Sequence, residues 1–101
     1  MRLYDLATAI RSKNAGPFTL TIDLVLPDRE AFARALAAQG LAPTRIAALY
    51  GVPAEGVRVT PFERVLTIKV ALPRPGASSG APGDRDVYGC QQHFPLADVQ
   101  V

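Results

Sequence analysis

The sequence predicts an α+β domain of ferredoxin-like type, an antiparallel sheet with helices on one face. Two segments, 18–26 and 65–72, alternate apolar and polar residues with period two, as half-buried strands do. Two stretches between them, 28–39 and 43–50, carry apolar residues at helical spacing. The connections are short, which favours antiparallel neighbours. A chain of 101 residues is a single domain, 1–101, on size.

Taken in order, Arg2–Ile10 reads as a strand running into a polar loop, Arg11–Gly16, with a short helix as the alternative. In 18–26, Phe18, Leu20, Ile22, Leu24 and Leu26 fall on one face, and Thr19, Thr21 and Asp23 on the other. Pro27-Asp28 ends that strand and opens the first helix, with Asp28 as N-cap and Glu30 in the positive first turn. Phe32 and Leu36 supply its apolar side, and Gly40 stops it. Pro43 suits the first turn of the second helix, whose apolar face is Ile46, Leu49 and Tyr50, and Gly51 and Pro53 end it.

Val57–Thr60 resumes period two, and Pro61 confines that strand to an edge or a turn. A hairpin near Phe62–Arg64 leads to Leu66, Ile68, Val70 and Leu72. Pro73–Gly83 is rich in proline and glycine and reads as a loop. Asp86–His93 reads as a short capped helix, and Leu96–Val101 as a closing strand. The expected core is Phe18, Leu20, Ile22, Leu24, Phe32, Leu36, Ile46, Leu49, Leu66, Ile68 and Val70.

Charge is unevenly placed. Arg2, Arg11 and Lys13 stand against Asp5 in residues 1–16, while the remaining residues balance, so the formal +2 lies in the first stretch. A local excess of this kind points to an anionic ligand or partner. A total of +2, with no basic stripe and no nucleic-acid-binding motif, gives no ground for nucleic acid. No apolar run reaches the roughly 18–20 residues of a membrane span. The single cysteine, Cys90, has no partner for an internal disulfide, and no signal-peptide pattern opens the chain, so a cytoplasmic location is expected.

Two polar motifs are candidate sites. Arg11, Ser12, Lys13, Asn14 and Gly16 combine a planar cationic fork, a point charge and neutral donors suited to a carboxylate or phosphate. The GxxxxGK[ST] phosphate loop is absent. A solvated connection whose charges face water is the plain alternative. Gln91, Gln92 and His93 set two amides beside the only histidine, with Asp86 and Asp84 near enough in sequence to orient it as a general base. The alternative there is a hydrogen-bonded helix end. One histidine without a carboxylate at ligand spacing argues against a metal site, and no cofactor motif is present. Cys90 and His93 are i,i+3 neighbours on a helix, although a structural cysteine is the commoner case.

Leu3–Ala7 with Ile10–Pro17, Leu49–Pro53 and Asp86–His93 together resemble a family of small bacterial and archaeal proteins encoded beside large acyclic terpene utilisation (AtuA-like) proteins. The opening motif is also similar to the start of the ferredoxin-fold domain at the C-terminus of many AtuA-like chains. There a strand enters an Arg-Ser-Gly-Asp-Lys-Gly type loop. Arg11, Ser12, Lys13 and Gly16 match that loop, and Asn14 departs from it.

The resemblance implies a companion subunit that docks on an AtuA-like large chain and helps form a site for an organic acid or acyl-thioester, in a hydration or dehydration step. Arg11 and Lys13 would neutralise the acid, and Gln91, Gln92 and His93 would line the opposite wall. The residues alone leave two alternatives open: a stand-alone enzyme with His93 as base and Asp86 orienting it, or a structural homodimer. A small core makes a partner chain expected in either case.

Overall fold

The computed structural model describes residues 1–16, 18–73, 94–97 and 99–101. Its elements are α1 (Leu3–Leu6), β1 (Ala9–Asn14), β2 (Thr19–Val25), α2 (Arg29–Ala37), α3 (Pro43–Tyr50), β3 (Arg58–Phe62), β4 (Thr67–Pro73) and α4 (Phe94–Ala97). The strands form one four-stranded sheet in the order β1-β2-β4-β3, and every neighbouring pair is antiparallel. The architecture is α+β and compatible with a ferredoxin-like arrangement, as the periodicities predict.

Register follows from burial. Leu20, Ile22 and Leu24 stand opposite Leu72, Val70 and Ile68, and all six are at most 1% exposed. A one-residue slip of either strand would turn this set out of the core, so the pairing is strongly specified. Burial of each such side chain contributes about 1.5–3 kcal/mol. Ala31, Phe32 and Ala35 of α2, Ile46, Ala47 and Tyr50 of α3, Leu3 and Leu96 complete one cluster on this side.

The helices begin and end as their sequences dictate. Asp28 Oδ1 accepts from the Ala31 amide at 2.8 Å, the expected N-cap. Pro43 opens α3, and Gly51 closes it at φ +68, the left-handed conformation that glycine adopts without steric cost. Pro61 lies in β3, which is an edge strand. The β3–β4 hairpin turns through Glu63–Val65, and Leu66 holds φ +49 as it enters β4.

Several expectations are corrected. Arg2–Ile10 is not one strand: Leu3–Leu6 is a helical turn, closed by Ala7 N–H donating to the Leu3 carbonyl at 2.9 Å, and β1 starts only at Ala9. Leu3, Leu6 and Ala7 have the i, i+3, i+4 spacing of such a turn. The Arg11–Gly16 segment is not a loop either, because β1 runs through Asn14 and the turn follows it, with Gly16 at φ +94. Phe18 is 69% exposed, because the alternation it starts precedes the strand itself.

Leu36 and Leu49 are 43% and 45% exposed. At about 100° per residue each lies about a quarter turn or more from the centre of the buried stripe of its helix. Leu66 is only half-buried. Leu96–Val101 is not one strand: Leu96 and Ala97 are consecutive, helical and buried, and of the described residues there only Gln100 pairs, in an isolated antiparallel bridge with Arg2. The expected helix 86–93 and most of the expected loop 73–83 lie outside the described residues. Pro73, expected to open that loop, ends β4.

Candidate functional site

Strand alternation divides the first candidate motif between two surfaces. Ser12 stands opposite Ile22, and Asn14 opposite Leu20, so both point to the helix side. Ser12 is 6% exposed, and both residues have interaction partners within the fold. Arg11 and Lys13 stand opposite Asp23 and Thr21 on the outer face. The five residues expected to converge on one anion therefore do not converge. Gly16 serves the turn.

The outer face instead gathers residues from four strands. One row across the sheet reads Arg11, Asp23, Lys69, Thr60, and the next reads Lys13, Thr21, Ala71, Arg58. With strands about 4.8 Å apart, Lys13 and Arg58 have backbones about 14 Å apart and the cations span the width of the sheet. Arg11, Lys13 and Arg58 are exposed and Lys69 is half-buried. None of the outer-face residues joins the core cluster. Four cations and one carboxylate give this face a formal +3, more than the +2 of the whole chain. Both lysines of the chain, Lys13 and Lys69, are on it.

Among the described residues, no carboxylate pairs with these cations. Among the described residues the ion pairs are Arg2–Asp5 at 3.3 Å and Arg29–Glu63 at 3.7 Å, both away from this face. Asp23 lies between Arg11 and Lys69 in register, yet its Oδ1 is buried without a hydrogen-bond partner. Lys69 Nζ instead lies 5.9 Å from the centroid of the Phe62 ring, within cation–π range. Thr21 Oγ1 donates to the Lys13 carbonyl at 3.4 Å. The next row, Ala9, Val25, Thr67, Phe62, gives the face an apolar margin where Phe62 is 45% exposed.

The sequence does not single out Arg58, Lys69 and Asp23 as site residues. Their alternation was visible, but only the pairing register places them beside Arg11 and Lys13. Of the second motif, Asp86, Gln91, Gln92 and His93 lie outside the described residues, as do Asp84 and Cys90. Among the described residues, no group of three His, Cys, Asp or Glu side chains gathers as metal ligands would. No helix there is long and apolar enough to cross a membrane.

A cleft of about 170 Å³ lies on the helix side, lined by Leu6, Pro27, Asp28, Glu30, Ala31 and Arg34. Its polar groups already serve the fold: Asp28 caps α2, and Arg34 donates to the Val101 carbonyl at 3.0 Å. Tyr50 is the one described group with a strongly displaced pKa, pushed up to about 12 by burial against the smaller opposing effect of a hydrogen bond with the Leu96 backbone. It sits in the core and ties α3 to α4.

The fold and this face define a small α+β domain with one packed and one cationic side of its sheet, a shape suited to binding. The chain belongs to the family described as a domain of unknown function, DUF4387, whose profile matches residues 3–100. No curated protein and no solved structure matches it.

Proposed function

We propose that the protein is a site-completing subunit that docks on an AtuA-like large chain and contributes cationic side chains to a site for an organic acid or acyl-thioester. The observation that carries this reading is the pair Arg11 and Lys13, projecting from the edge strand β1 on the outer face with no carboxylate among the described residues paired to either. Exposed cations held on a sheet are poised for an anion that a second chain shields from water, where charge stabilisation is strong. The resemblance to the small AtuA-associated proteins supports the identity of the large chain. A hydration or dehydration of the bound acid fits such a site, because charge then builds next to the carboxylate or thioester carbonyl. Asp86 and His93 are the candidate acid–base pair, and Gln91 and Gln92 candidate donors to the same ligand.

Co-expression with the neighbouring AtuA-like chain, followed by a turnover screen of the complex with organic acids and acyl-thioesters, tests the reading. Activity that needs both chains supports it. Full activity of either chain alone, or no complex at all, overturns it.

A further inference from the structure

We infer that the β2-β4-β3 part of the outer face, built on Asp23, Lys69, Arg58 and Phe62, is a docking surface for a protein partner that presents carboxylates to the two cations and a hydrogen-bond donor to Asp23. The inference deepens the subunit reading by assigning the surface through which docking occurs.

Three observations carry it. The whole face holds a formal +3, to which this part contributes Arg58 and Lys69 against Asp23, while the rest of the chain is net negative, so complementarity asks for an acidic occupant. At its centre, however, Asp23 Oδ1 is buried and has no donor. A buried acceptor without a partner is destabilising, and an occupant relieves this by donating to Oδ1 once the half-buried Asp23 side chain turns it outward. Phe62 is 45% exposed at the margin and gives an apolar contact beside Lys69. Both Arg and aromatic side chains are enriched where interfaces concentrate their binding energy.

The occupant must therefore combine acceptors, a donor and an apolar contact over about 10 Å of sheet, the width of two strand spacings. A small dicarboxylate at neutral pH has the acceptors but no donor for Asp23, and any small anion, phosphate included, would meet the Asp23 charge and leave Phe62 uncovered. A second copy using the same face would bring two net positive patches together, because a two-fold contact repeats one patch on both sides. A protein surface with carboxylates and an amide or hydroxyl satisfies all three demands.

The test uses the full chain co-expressed with the AtuA-like large chain, comparing the native protein with the double variant Arg58→Glu/Lys69→Glu and with Asp23→Ala. The expected result is an unchanged melting temperature of the isolated double variant. Its affinity for the large chain should fall at least 100-fold, and Asp23→Ala should weaken binding about tenfold. A complex that forms with undiminished affinity in the double variant overturns the docking surface while leaving the subunit reading intact. Absence of any complex with the native chain overturns both. A double variant whose isolated melting temperature falls in step with its affinity shows that the face is occupied by its own chain, which also overturns the inference. So does saturable binding of succinate or phosphate to the isolated chain that is lost in the double variant while the complex persists.

Discussion

Asp23 and Lys69 stand directly opposite each other across the β2–β4 ladder, yet they form no ion pair. The carboxylate oxygen is buried without a donor, and the ammonium turns to the Phe62 ring. Opposite charges on directly paired strand residues ordinarily attract by a few tenths of a kcal/mol. Here each group is left available to something else. An arrangement that gives up a local pair and strands an acceptor is the kind that function, rather than folding, retains.

Replacing Asp23 with threonine should raise the stability of the isolated chain by about 0.5–1.5 kcal/mol. The change removes an unpartnered buried acceptor and introduces a good strand former. Urea unfolding of the two proteins measures it. The same variant should bind the large chain more weakly, a gain in stability at the expense of function.

Gly40→Ala should destabilise the fold by about 1–3 kcal/mol, the range for overpacking. A β-carbon at position 40 would collide with the Val99 side chain. Val99 belongs to the segment held against the N-terminal turn, where Leu3 N–H donates to its carbonyl at 2.7 Å. Thermal unfolding reads the loss, and Val99→Ala in the same chain should restore most of it by making room.

Tyr50 predicts an alkaline limit. Its hydroxyl keeps its proton in the folded chain up to about pH 12, whereas the unfolded chain loses it near the ordinary value of 10.0. The unfolded state then binds fewer protons, so stability falls as pH rises through this interval. It levels off above it, after a total loss on the order of 3 kcal/mol. Tyr50→Phe should abolish that part of the slope. At neutral pH it should cost about 1–3 kcal/mol by leaving the Leu96 backbone group unpaired. Denaturant midpoints of both proteins between pH 8 and pH 12 separate the two effects.

The sheet core was legible because Leu20, Ile22 and Leu24, with Ile68, Val70 and Leu72, satisfy a period that only a half-buried strand explains. Asp28, Gly51 and Pro61 were legible because each has a specific backbone role. The helical stripes were less so. Leu36 and Leu49 are apolar, but the residues that face the sheet are Ala31, Phe32 and Ala35 in α2 and Ile46, Ala47 and Tyr50 in α3, and hydrophobicity alone does not say which side of a helix meets it. The site was least legible. Arg11, Ser12, Lys13 and Asn14 read as a loop because polar residues on both faces mask a strand at an edge. Nothing local announces that Arg58 and Lys69, far along the chain, complete the charge begun by Arg11 and Lys13.

Arg11→Ala should weaken binding of the acidic ligand to the assembled complex by about 1.5–3 kcal/mol, the worth of a hydrogen bond to a charged group. Assembly itself should be little changed, since Arg11 lies on the β1 side of the face. Ligand titration and co-purification of the variant check the two halves of this expectation.

Amine footprinting of the assembled complex tests the central claim most directly. Lys13 and Lys69 are the only lysines and both lie on the outer face, so acetylation followed by mass spectrometry reads that surface with little background. The account predicts that Lys69 is protected at least tenfold on assembly with the large chain, and that Lys13 gains its full protection only when the acidic ligand is added. Equal labelling of both lysines in the free and the assembled protein would contradict it.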